Sequence, residues 1–99
     1  MTKNELIDAV AENTGITKKD TGEVINNMID TIMNHLRAEA KKPEDDRDNV
    51  QLIGFGTFEV RDRSARKGRN PQTNEEIQIP ARKVPVFRSG KSFKETVDI

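Results

Sequence analysis

Cysteine, tryptophan and tyrosine are all absent from this 99-residue chain, and each absence removes a class of explanation. Without cysteine there are no disulfides and no thiolate zinc sites, which fits a reducing compartment. No apolar run approaches the roughly 20 residues of a membrane span. The opening Met1-Thr2-Lys3-Asn4-Glu5-Leu6-Ile7-Asp8 lacks the apolar stretch of a signal peptide. A soluble, cytoplasmic protein is the expectation. No nucleophile–base pair, glycine-rich phosphate loop or HExxH pattern occurs, so no enzyme, cofactor or metal is expected. The single His35 sits beside an apolar stripe without metal-site partners, and Glu44 to Asp48 lack the spacing and glycine of a calcium loop. Apolar residues make up only 32% of the chain and charged residues 34%. So short and polar a chain closes a core poorly by itself, and oligomerisation is a common remedy.

Net charge is also lacking: 17 basic and 17 acidic residues cancel. Their distribution is not uniform. Met1 to Val60 holds seven Lys/Arg against twelve Asp/Glu, whereas Arg61 to Lys91 holds nine basic residues against Asp62, Glu75 and Glu76. An acidic N-terminal half and a basic segment near the C-terminus result, and a local basic segment is the footprint of a polyanion ligand even when the sum is zero.

The N-terminal half has helical period. Thr2 and Glu5 form a capping-box pair, Leu6, Ile7, Val10 and Ala11 recur at helical spacing, and Gly15 is placed to end the helix. Thr17 starts a second helix with Asp20 in its first turn. Val24, Met28, Ile32 and Leu36 step by four along it, with Ile25, Ile29 and Met33 in the adjacent row. The first helix is too short to cover so broad a stripe, so it is expected to pack against a second subunit as well. Residues 41–49 hold no apolar side chain but Pro43 and read as a solvated loop.

From Val50 the period becomes two. Val50, Leu52 and Ile53 predict a short strand, Gly54-Phe55-Gly56 a tight turn, and Phe58 and Val60 the next strand. Phe55 and Phe58 suit core packing better than base stacking. Val84, Val86 and Phe87 predict a final strand, and a short helix from about Ser89 to Val97 is expected to bury Phe93 and Val97. Between Arg61 and Lys83 lies a stretch too long for a turn and too polar to bury. Two strands hinged at Asn70-Pro71 would project into solvent there. Such a ribbon is marginal alone, which suits a protein that orders it on a ligand. The basic residues on both strands make that ligand a polyanion. Pro71 at the tip is rigid, apolar and free of an N–H, as a wedge between base pairs must be; equally, Asn-Pro is a common turn.

The run from Gly54 through Phe55, Gly56, Thr57, Phe58 and Glu59 to Arg69-Asn70-Pro71-Gln72-Thr73 strongly resembles the signature of the bacterial histone-like HU/IHF family. The likeness continues through Ile77-Gln78-Ile79-Pro80 and Val84-Pro85-Val86-Phe87 to Gly90-Lys91, and includes Lys3-Asn4-Glu5-Leu6-Ile7. The resemblance implies an α+β fold: an intertwined dimer with a helical base and an antiparallel β-saddle carrying one β-ribbon arm per subunit. Within a single domain 1–99, it implies a helical dimerisation region at 1–42, an acidic loop at 43–49, a saddle with the DNA-binding arm at 50–88, and a C-terminal helix at 89–97. The implied function is architectural: low-specificity binding of duplex DNA in the minor groove, with bending and compaction, in the nucleoid.

Arg61, Arg63, Arg66, Lys67, Arg69 and Asn70 match arm positions that line the minor groove, Pro71 matches the intercalating proline, and Gln72 and Thr73 complete the tip. Lys83, Arg88, Lys91 and Lys3 match basic positions for flanking phosphates; Gly54 and Gly56 match places where backbone amides approach phosphate; Arg82 is an added contact. Val24, Ile25, Met28, Ile29, Ile32, Met33, Leu36, Phe55 and Phe58 would form the dimer core. A homodimer is expected, with a site-preferring heterodimer subunit as the rival. Three features depart from the family pattern: the neutral sum, the long acidic link before Val50, and Asn74 where glycine is common. The link is read as inert and solvated, with docking of a protein partner as the alternative. Asn tolerates the left-handed conformation, so the turn is expected to survive.

Overall fold

A computed structural model describes residues 1–99 and resolves into two compact units, Met1–His35 and Leu36–Ile99. In the first, α1 spans Lys3–Thr14 and α2 begins at Lys18, running on to Glu39. The Thr2 hydroxyl accepts from the Glu5 N–H and the Glu5 carboxylate accepts from the Thr2 N–H, both at 3.2 Å, a cap that contributes about 1 kcal/mol. Gly15 ends α1 at φ 74°, where a side chain would be strained. Thr17 caps α2 by accepting from the Asp20 N–H. Ile7 lies against Gly22, and Asp8 pairs with Lys18 at 3.5 Å, so α1 covers only the start of α2.

In the second unit α2 ends at Glu39, four residues before Pro43. A 3-10 turn, Glu44–Asp46, leads into β1 (Val50–Leu52), β2 (Gly56–Arg63), β3 (Arg66–Arg69), β4 (Glu76–Ile79), β5 (Arg82–Ser89) and α3 (Lys91–Val97). The strands form two antiparallel sheets, β1-β2-β5 and β3-β4. The α+β class is as the sequence indicated. β2 and β5 pair from Gly56↔Ser89 to Arg63↔Arg82, and β3 and β4 continue the hairpin after breaks at Ser64-Ala65 and Pro80-Ala81. All four phenylalanines join one cluster: Phe58 faces Phe87 across the strands at 4.7 Å, Phe55 stacks on Phe93 at 5.2 Å, and Phe55 lies 5.1 Å from Phe87. Gly56 is what lets them meet. A Cβ there would stand 2.5 Å from both the Arg88 carbonyl and the Phe87 ring.

Four expectations need correction. Ile53 belongs to the turn, not to a strand, and is 96% exposed. The last strand begins at Arg82, because pairing with β2 extends the ladder beyond the apolar residues that signalled it. Val97 ends α3 exposed, and only Phe93 is half-buried. The acidic link is not merely solvated: Glu44, Asp45 and Asp46 face water, but Arg47 turns inward, its side chain 2% exposed.

Candidate nucleic-acid interface

The basic residues of β2 and β5 are organised by two carboxylates. Glu59, nearly buried, receives Arg61 from its own strand at 2.6 Å and Arg88 from the diagonal position on β5 at 3.2 Å. Asp62 lies opposite Lys83 in the ladder, with Lys83 Nζ at 3.6 Å and Arg47 Nη2 at 2.9 Å from its Oδ1. The Arg47 hydrogen bond, with help from Lys83, holds the Asp62 carboxyl below the ordinary carboxylate value. At the end of α2, the Glu39 carboxylate 2.7 Å away raises Lys42 above the usual lysine value.

Beyond Asp62 the pattern changes. Arg63, Arg66 and Arg82 are exposed and form no ion pair among the described residues. They meet Ser64, Ala65, Ile79 and Pro80 around a recess of 340 Å³ where the ribbon leaves the three-stranded sheet. Three guanidinium groups around one concavity make a site for phosphate oxygens. Further out, Lys67 pairs loosely with Glu76 at 3.6 Å, both exposed, and Arg69 reaches the Asn74 side chain at 3.4 Å. Gly68 admits Ile79 to the ribbon: a Cβ would lie 3.0 Å from its Cδ1.

The tip is a closed turn. Asn70 Oδ1 accepts from the Gln72 N–H, the Asn70 N–H donates to the Glu75 carbonyl, and the Asn74 N–H donates to the Asn70 carbonyl at 2.7 Å. Asn74 takes φ 59°, the left-handed conformation expected of it. With these bonds made among its neighbours, Pro71 stands exposed at the turn, and Gln72 and Thr73 are exposed with it.

A second recess of 210 Å³ brings Gly54, Gly56 and Lys91 together beside Thr57 and Gly90. Gly54 is exposed at φ 89°. Gly56 is buried, so packing already explains it. Lys91 is 90% exposed and only 3.9 Å from Glu95, a loose pair. Lys3 opens α1, exposed, in the helical unit. Of the expected dimer residues, Val24, Met28 and Met33 are 50–66% exposed in the single chain, Ile25, Ile29 and Ile32 are half-buried, and Leu36 is buried. Phe58 is half-buried and Phe55 44% exposed.

Sequence reasoning overlooked Glu59, Asp62 and Arg47. Asp62 alone was visible in outline, because an acid inside an otherwise basic strand pair invites the question of which cations it holds. Arg47 had no such signal; it was hidden among acids.

The whole chain is matched by known proteins. The family model described as "Bacterial DNA-binding protein" covers residues 1–98. The chain is 54% identical over 97 residues to DNA-binding protein HU 1 of Bacillus subtilis, covering 98% of this chain and 97% of that one. It is 54% identical to DNA-binding protein HU of Geobacillus stearothermophilus, covering 98% and 99%. Among solved structures, the Anabaena HU–DNA cocrystal structure superposes with a TM-score of 0.86 at 46% identity, over 99% of this chain and 98% of that one. HU from Thermotoga maritima gives 0.66 at 32% identity, over 99% and 100%. The chain therefore belongs to the bacterial histone-like DNA-binding protein family. These relatives all lie in its HU branch.

Proposed function

We propose that two copies of this chain form a homodimer that grips duplex DNA between its arms, bends it and compacts it with little sequence preference. The observation that carries the reading is the ribbon itself: Arg63, Arg66 and Arg82 without acidic partners at its root, and an exposed Pro71 at its tip. Uncompensated guanidinium groups suit phosphates and a narrow minor groove, and a proline wedge suits an unstacked base step. Arg61, Lys67, Arg69, Asn70, Gln72 and Thr73 would line the groove. Lys3, Lys83, Arg88, Lys91 and the Gly54–Gly56 turn would hold flanking phosphates. Specificity would then rest on how easily the duplex deforms.

The dimer is supported by what one chain leaves uncovered. No large side chain in it is fully buried, and Val24 and Met28 leave an apolar row open along α2, with Met33 exposed on the adjacent row. A soluble domain seldom leaves such a stripe open. The relatives' HU identity favours a location in the cytoplasmic nucleoid, and no helix is long and apolar enough to cross a membrane.

A gel-shift titration of intact, nicked and random duplexes at two salt concentrations tests the reading. Binding should weaken steeply with salt, and Arg66→Ala or Arg69→Ala should flatten that dependence. An unchanged slope in both variants would remove the arm from the interface. A strong preference for one selected duplex over random sequence would favour the site-preferring heterodimer subunit instead.

A further inference from the structure

The link between α2 and β1 is clasped from both sides. The buried Glu39 carboxylate accepts from the Asp48 N–H at 2.7 Å and pairs with Lys42 at 2.7 Å. From within the link, Arg47 Nε donates to the Lys42 carbonyl (3.0 Å), Nη2 to the Ala40 carbonyl (3.2 Å) and Nη1 to the Val60 carbonyl (3.2 Å). Three main-chain acceptors account for the burial of a group with five donors in a rigid fork.

The fourth bond serves another purpose. It runs to Asp62 Oδ1, the oxygen that also faces Lys83, so two cations share one acceptor. Arg47 has the short contact, 2.9 Å; Lys83 has the long one, 3.6 Å, and stays 52% exposed. Arg47 itself, 2% exposed, is out of reach of any ligand.

We infer that Arg47 is a positioning residue for DNA binding, which draws Asp62 away from Lys83 and so leaves Lys83 free to meet a phosphate. The inference rests on reading Lys83 as a phosphate contact. Without Arg47, Asp62 has a single cation within reach, its cross-strand partner. Lys83 would then enter the interface already neutralised. The acidic link thereby acts on the arm root from inside the fold, with its carboxylates turned to water.

The salt dependence of binding to a random duplex tests this in six proteins: wild type, Lys83→Ala, Arg47→Gln, Asp62→Asn, Arg47→Gln with Asp62→Asn, and Arg47→Lys. Lys83→Ala should reduce the slope of log K against log salt by about 0.9 per subunit. Arg47→Gln should reduce it nearly as much, and adding Asp62→Asn should restore it, because the competing carboxylate is gone. Arg47→Lys should keep the wild-type slope while melting earlier, since it carries a charge for Asp62 but no fork for three carbonyls. A reduced slope in Lys83→Ala with a wild-type slope in Arg47→Gln overturns the inference and leaves the Lys83 reading standing. An unchanged slope in Lys83→Ala removes that reading and the inference with it. A double variant as weak as Arg47→Gln would make the loss purely structural and also overturns it. Should Arg47→Gln not fold, Arg47→Lys and Asp62→Asn decide: a lowered slope in either is fatal.

Discussion

β2 and β5 form the inner section of one long hairpin, and β3 and β4 the outer section, yet the two hold their charges differently. On the inner section Arg61 and Arg88 share Glu59, and Lys83 shares Asp62 with Arg47. From Arg63 and Arg82 outward the cations are free or loosely paired, as Lys67 is with Glu76. Exposed pairs of the outer kind contribute about 0–1 kcal/mol to stability, so the outer ribbon gains little order from its own charges. The difference teaches that the inner strands use arginine to build the sheet, while the outer strands keep it in reserve for a ligand. The break falls where the ladder stops, at Arg63↔Arg82, beside the recess that those two residues line with Arg66.

The largest expected effect attacks the reserve. Replacing Arg63, Arg66 and Arg82 together by alanine should lower duplex affinity at 0.1 M salt by nearly three decades per subunit, from three lost phosphate contacts at about 0.9 decade each. The melting temperature should hardly move, because no ion pair is lost. A large fall in stability with unchanged affinity would invert the comparison. Next comes Gly56→Ala, which attacks the inner section. Its Cβ would collide with the Arg88 carbonyl and the Phe87 ring. Overpacking of this kind costs about 1–3 kcal/mol, a fall of roughly 5–20 °C for a domain of this size. Thermal unfolding followed by circular dichroism reads it directly, and a melting temperature equal to wild type would mean that the phenylalanine cluster yields easily. Third, Pro71→Ala should reduce the bend measured by fluorescence transfer across a labelled duplex more than it reduces affinity, since wedges of this kind kink DNA by about 20–90°. Equal bends in the two proteins would leave the exposed tip without a role as a wedge.

Much of this architecture is legible in the sequence. Thr2-x-x-Glu5, Gly15, the four-residue steps from Val24 to Leu36 and the turn at Asn70-Pro71 each express a local rule, and local rules survive folding. Residues Arg61 to Lys83 announce a ribbon through their polarity. What stays hidden depends on pairing across distance. Arg47 meets Val60 and Asp62 from thirteen and fifteen residues away, and nothing in the run Glu44-Asp45-Asp46-Arg47-Asp48 marks it as the member that turns inward. Glu59 reads as the polar half of an alternating strand, facing water, whereas the β2–β5 register puts it between two arginines. Ile53 and Val97 fail in the opposite direction: apolar residues at element ends are assigned to a core that a single chain does not close.

The smallest effect concerns acid, and it sharpens the line between the two sections because Asp62 sits on it. Its carboxyl is held below the ordinary value of 3.8, first by the Arg47 hydrogen bond. A lowered carboxyl binds its proton less tightly in the folded state than in the unfolded chain. The stabilisation it contributes is therefore fully present above the unfolded value, near pH 3.8. It declines as pH falls through the lower folded value, where Asp62 takes up its proton and releases Arg47. Wild type and Asp62→Asn should then differ in melting temperature by a constant, small amount from neutral pH down to about pH 4, and the two curves should converge in stronger acid. Glu76→Gln, on the outer ribbon, should leave the melting temperature at neutral pH close to wild type, because its pair with Lys67 is exposed on both sides. A gap for Asp62→Asn that persists below the folded value would mean that the carboxylate's charge is not what Arg47 holds. A comparable gap for Glu76→Gln would mean that the outer charges build the fold as the inner ones do.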